Sequence, residues 1–146
     1  MSANKKGLKM KVVGQALKKG AITRKAVFVS VTRALAGEIP DILPRTPLVD
    51  FSRGFWYVDD SKIRQCELLV AVAKGIVRGV WEIDMEYGWH PMSATAIPTL
   101  NTKQMVIEPQ RQYCRVLGEV LHELKGKRLS AVMGGMRMYG PVQYNF

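Results

Sequence analysis

Two apolar runs, residues 67–73 (ELLVAVA) and Ile76–Ile83 (IVRGVWEI), are joined by only Lys74 and Gly75. A connection that short permits an antiparallel hairpin and little else. Glycine supplies the positive φ that such a turn requires. In the second run strict alternation places Ile76, Arg78, Val80 and Glu82 on one face. Val77, Gly79, Trp81 and Ile83 then take the other. Gly79 inside the strand marks a bulge or a close approach of another part of the chain.

Further strands are read on either side of this hairpin. Residues 26–32 (AVFVSVT) are β-branched and form a first core strand. Residues 55–58 (FWYV) are extended, 112–120 (QYCRVLGEV) read as one strand, and 141–146 (PVQYNF) as a last one. Helices are short. Thr46 caps a helix that begins at Pro47 and runs over Leu48–Ser52 to Gly54. The Asp59-Asp60-Ser61 turn caps a second helix ending near Cys66, and a third starts at residues 121–124. Residues 12–19 allow one or two helical turns stopped by Gly20. Residues 33–44 read as a loop. Residues 84–110, with Pro91, Pro98 and Pro109, form a long irregular connection of the kind that often carries function.

A chain of 146 residues, 47% apolar, makes one domain with a core of its own. No apolar run approaches the roughly 20 residues of a membrane span, and no signal-peptide core follows the basic start. Cys66 and Cys114 each sit among apolar residues and read as buried thiols, which fits a reducing cytoplasm. The charge is unevenly placed. Eight basic and no acidic side chains fall in residues 1–25, while the remaining 14 basic and 12 acidic leave the body at +2. The chain therefore divides into a basic N-terminal arm, 1–25, and a near-neutral domain, 26–146. Such an arm attracts polyanions through counterion release; a solvated tail is the competing reading.

The order of pieces resembles a family. Arg53-Gly54-Phe55-Trp56, Leu69-Val70-Ala71-Val72 and the run from Gly75 to Ile83 carry the likeness. Trp89, Val116-Leu117-Gly118-Glu119 and the closing Gly140-Pro141-Val142-Gln143-Tyr144-Asn145 extend it. Together they are similar to small PUA-like proteins of bacterial and phage genomes, related in fold to the EVE and ASCH domains. The likeness spans about residues 26–146; the N-terminal arm and the methionine-rich 131–140 segment depart from it. It implies an α+β fold, a mainly antiparallel PUA-like β-barrel with short peripheral helices. It also implies binding of RNA or of a modified base in a pocket.

The residues themselves suggest one constellation. Arg53, Trp56, Arg78, Trp81 and Trp89 are placed to line a single pocket, in which indoles stack on a base and guanidinium groups hold phosphate or a base edge. Lys74 at the hairpin turn, and Lys5, Lys6, Lys9 and Lys11 in the arm, add charge. The competing reading makes Trp56 and Trp81 core residues and pairs Arg53 with Asp50 or Asp59. His90 and His122 lack neighbours at metal-ligand spacing, so neither a metal nor a cofactor is expected. Asp59-Asp60 is better explained as a helix cap than as a catalytic pair. Met133, Met136 and Met138 fit either a contact surface or core filling. With no nucleophile motif or phosphate loop, a non-enzymatic nucleic-acid or modified-nucleotide binding module is favoured over an enzyme. The alternative is a phage or mobile-element accessory that binds a host protein complex.

Overall fold

The computed structural model describes residues 20–39, 46–100 and 106–146. Their elements, in chain order, begin with β1 (Ala26–Ser30), α1 (Thr32–Leu35), α2 (Leu48–Ser52), β2 (Trp56–Tyr57) and α3 (Asp60–Ile63). The hairpin follows as β3 (Leu68–Ala73) and β4 (Ile76–Ile83). Then come β5 (His90–Pro91), β6 (Arg111–Tyr113), β7 (Val116–Glu119), a 3-10 turn (His122–Leu124), α4 (Leu129–Val132) and β8 (Val142–Tyr144).

The expected hairpin is present. Lys74 and Gly75 both take positive φ, 51° and 72°, as a twist-matched two-residue turn requires. A register shift breaks the expected alternation in β4. Ala71 pairs with Gly79 and Val72 with Val77, so Arg78 is the extra, bulged residue. The bulge turns the strand over. Val77 and Val80 therefore share one core face, while Trp81 and Ile83 join the other.

The described strands do not close into a barrel. They form two open sheets, one of five strands in the order β7-β4-β3-β1-β8 and one of three in the order β2-β6-β5. This corrects the mainly antiparallel barrel expected from the order of pieces, and two features explain the difference. First, β1 and β3 pair in parallel, from Ala26 opposite Leu68 to Ser30 opposite Val72. A parallel pair needs a long crossover, and α1, α2, β2 and α3 all lie within it. Second, the expected single strand 112–120 breaks at Cys114 and Arg115. There Cys114 N–H donates to the Arg53 carbonyl, and the Arg115 carbonyl accepts from Asp84 N–H. β6 thus belongs to the small sheet and β7 to the large one. β7 and β8 end up as opposite edges of the large sheet and do not pair with each other.

β3 is buried at all six positions, which accounts for its unbroken apolar run: both faces of the large sheet are covered. On one face Phe28, Val70 and Val80 pack with Leu124, Leu129 and Val132. On the other, Val29, Leu69 and Trp81 pack with Phe51, Phe55, Ile63 and Trp89. Met133, Met136 and Met138 are half-buried against the first face, and so serve as core filler. Cys66 and Cys114 are buried free thiols.

Local signals fixed the short elements with small displacements. Asp59 caps α3, its carboxylate accepting from Ser61 and Lys62 N–H. Pro47, not Thr46, is the N-cap of α2; the Thr46 hydroxyl donates to the Thr99 carbonyl instead. Residues 33–44, expected as a loop, contribute Arg33–Leu35 to α1. Residues 20–25 are fastened to the sheet. Ile22 is buried, Arg24 bridges Glu67 and Glu82 at 2.8 and 3.1 Å, and the Lys25 carbonyl accepts from Glu67 N–H. Lys5, Lys6, Lys9, Lys11 and the turns expected over 12–19 lie outside the described residues. No described helix is long and apolar enough to cross a membrane.

Candidate functional site

The five residues expected to share one pocket are distributed over several places. Trp81 is buried in the core. Trp89 is also buried, beside a small cavity of about 190 Å³ lined by Ile63, Arg64 and Cys66. Its Nε1 is shielded from solvent and has no hydrogen-bond partner among the described residues. Arg78 folds back under the hairpin turn, where its Nη2 donates to the Ala73 carbonyl at 3.3 Å. Lys74 is exposed at the turn itself.

Arg53 is tied into the fold. Its Nε donates to Asp50 Oδ1 at 3.1 Å and its Nη1 to the Cys114 carbonyl at 3.0 Å. Asp50 is held in turn by the Thr99 hydroxyl at 2.9 Å. Arg53 thereby joins α2 to the crossing between the two sheets. The same residue lines an open depression with Arg115, separate from the cleft that Trp56 lines.

That cleft has a volume of about 480 Å³. Its floor is apolar: Phe51 and Phe55, with Leu100 and Val142. Trp56 and Tyr57 of β2 form an aromatic wall, and Arg33 and Arg111 supply two guanidinium groups. Trp56 is half-buried, and its Nε1 donates to the Ser52 carbonyl at 2.7 Å. This bond fixes the ring plane, so the indole is set before any ligand arrives. The bond exists because β2 follows α2 after a tight turn, with donor and acceptor four positions apart.

Arg111 is positioned from three sides. Its guanidinium stacks on the Tyr57 ring at 4.3 Å, its Nη1 donates to the Phe55 carbonyl at 3.2 Å, and its Nε pairs with Glu108 at 3.1 Å. Glu108 also accepts from the Tyr57 hydroxyl. Arg33 differs: it lies exposed on α1, with a loose contact of 3.5 Å to the exposed Glu38. An ion pair of that kind contributes little, so Arg33 is available to a ligand anion.

Of the expected residues that the structure describes, only Trp56 lines this cleft. Tyr57, Arg33 and Arg111 were missed. The interleaving of Arg111 with Tyr113 along β6 was a visible cue to a basic-aromatic surface. Arg33 carried no such cue, because only the fold brings α1 and β2 to one cleft.

A second polar-aromatic group lies on the small sheet. The hydroxyls of Tyr87 and Tyr113 share a hydrogen bond of 2.6 Å. The Arg115 guanidinium sits 4.0 Å from the Tyr87 ring centre, and the His90 ring 4.3 Å from it. The bond to Tyr87, and then burial, raise the Tyr113 phenol above its ordinary value. His90 is engaged with the Tyr87 carbonyl at 2.6 Å. This arrangement explains how residues 84–91 are held to β6.

No family model, curated protein or solved structure matches the chain.

Proposed function

We propose that the protein binds a nucleotide unit, of a nucleic acid or as a modified nucleotide, in the cleft between α1 and β2, and acts as a binding module. The observation that carries this reading is the pairing of a fixed aromatic wall with two guanidinium groups in one apolar cleft. A base face stacks on an indole or phenol ring, and a phosphate pairs with arginine. Trp56 is the stacking residue, its ring held by Ser52. Arg111, preorganised by Phe55 and Glu108, meets a base edge or sugar phosphate. Arg33 at the rim supplies the second cation. The lining carries no carboxylate, imidazole or thiol among the described residues, which favours a ligand held rather than transformed.

The test is titration of the full chain with mononucleotides and short oligonucleotides, followed by tryptophan fluorescence at two salt concentrations. Binding should quench fluorescence and weaken as salt rises. Trp56→Ala should weaken it about 5- to 150-fold, the range for loss of one stacked base. Absence of salt-sensitive binding by the wild-type chain overturns the reading.

A further inference from the structure

We propose that the ligand is a single-stranded polynucleotide, whose chain leaves the cleft past Arg33 and continues along a basic ridge formed by Lys74, Lys127 and Arg128. This rests on the nucleotide reading of the cleft and extends it to the substrate class.

Residues far apart in sequence build the ridge. Residues 126–129 run beside the start of β4. Val77 N–H donates to the Lys127 carbonyl, Gly126 N–H to the Val77 carbonyl and Leu129 N–H to the Gly75 carbonyl, at 2.8–2.9 Å. Ile76 and Arg128 form an antiparallel bridge. The Lys-Gly-Lys-Arg segment is thereby pinned against the hairpin turn that carries Lys74. On the opposite side of the turn, Lys74 N–H donates to the Thr32 hydroxyl at 3.0 Å, next to Arg33. Ser30 N–H donates to the Pro141 carbonyl, and Ser30, Arg33 and Pro141 all line the cleft. The path from Arg128 through Lys74 to Arg33 crosses about three strand spacings, roughly 15 Å.

The charge on the ridge itself is uncommitted, and Arg33 at its end has only the loose contact with Glu38. Among the described residues no carboxylate pairs with Lys74, Lys127 or Arg128, and all three are exposed. Six of the eleven other described lysines and arginines, Arg24, Arg33, Arg53, Arg64, Arg111 and Lys125, contact a carboxylate. Glu123, in the preceding 3-10 turn, makes no ion pair among the described residues. A row of free cations that ends at an aromatic cleft matches a strand with its backbone on the ridge and a base in the cleft. A base in a duplex does not expose a face to Trp56, which favours the single strand.

The experiment compares a mononucleotide with 4-, 8- and 12-nucleotide strands of RNA and of DNA, by fluorescence anisotropy and competition. It uses the full chain and the variant Lys74→Ala/Lys127→Ala/Arg128→Ala. The wild type should bind the 12-mer at least tenfold more tightly than the mononucleotide. The variant should lose most of that gain and keep its mononucleotide affinity. Its log affinity against log salt should flatten by about two for three lost contacts. Any segment outside the ridge contributes equally to both proteins, so the difference between them reports the ridge. Equal 12-mer affinity and equal salt slopes overturn the proposal. So does a mononucleotide that binds as tightly as the 12-mer, an outcome that leaves the cleft reading standing. Polyglutamate of matched charge that competes as well as the 12-mer overturns it in favour of an acidic protein partner. No nucleotide binding at all removes both readings.

Discussion

The indole of Trp81 occupies the space that a side chain at position 79 would need. A Cβ built on Gly79 would lie 2.5 Å from Cη2 of that ring and 2.8 Å from Cζ2. Both residues are in β4, two positions apart, on the face that packs toward Phe51 and Ile63. The glycine is therefore a seat for the tryptophan, and the bulge beside it belongs to Arg78.

Gly79→Ala should destabilise the fold by about 1–3 kcal/mol, the usual range for overpacking a close-packed core. Gly79→Val should cost at least as much. Trp81→Leu alone should also destabilise, through the cavity it leaves. Combined with Gly79→Ala it should cost less than the two single changes summed, because the ring that clashes is gone. Urea unfolding of the four proteins measures this; strict additivity would show that the indole and residue 79 do not compete for space.

Arg53 was expected to hold phosphate, and its geometry predicts a different phenotype. With its side chain only 15% exposed and Asp50 18%, Arg53→Ala leaves the Asp50 carboxylate and the Cys114 carbonyl short of a donor. A loss of about 1–3 kcal/mol is expected. Arg53→Lys should rescue only part, since one ammonium does not span both acceptors. Nucleotide affinity of the folded fraction should change less than twofold. A large affinity loss at unchanged stability would return Arg53 to the binding site.

The hairpin was legible because its signals are local: two residues of turn between two apolar runs fix the pairing. The buried centre of the sheet was legible for the same reason, in the run from Leu68 to Ala73. The bulge at Arg78 was not, because a glycine and its neighbour can each carry the extra residue. The break of 112–120 at Cys114 and Arg115 was hidden too. Those residues keep an extended backbone and the same composition, and only their partners, Arg53 and Asp84, divide them between sheets. The parallel pairing of Ala26 with Leu68 is a contact across 42 positions that periodicity does not reveal. The cleft, to which α1 and β2 both contribute, was hidden with it. Trp56 was found by residue type, whereas Arg33 required the topology.

Burial pushes the Cys66 thiol up to about 12 and moves Cys114 in the same direction. An unfolded thiol ionises near its ordinary value of 9.0. The folded state thus holds these protons more tightly, and its advantage is complete below about pH 9. As pH rises beyond that, the unfolded chain loses its thiol protons first and the stability declines. Urea midpoints at pH 8 and pH 10 should show this fall. Cys66→Ala/Cys114→Ala should be less stable at pH 8 but should fall less on going to pH 10. An equal fall in both proteins would assign the alkaline loss to other groups.

Arg33 and Arg111 flank one cleft but should behave differently when removed. Arg33 is exposed and only loosely paired with Glu38 at 3.5 Å, so Arg33→Ala should leave the urea midpoint unchanged. It should weaken oligonucleotide binding and flatten the salt dependence by about 0.7, one phosphate on a single strand. Arg111 carries the Phe55 carbonyl, Glu108 and the Tyr57 ring. Arg111→Ala should therefore lower stability and affinity together, and Arg111→Lys should recover little of either, because an ammonium does not stack flat and lacks the rigid planar fork of donors that a guanidinium presents. Parallel measurement of midpoints and salt slopes separates the two roles. If Arg33→Ala binds as the wild type does at every salt concentration, phosphate does not pass that rim of the cleft.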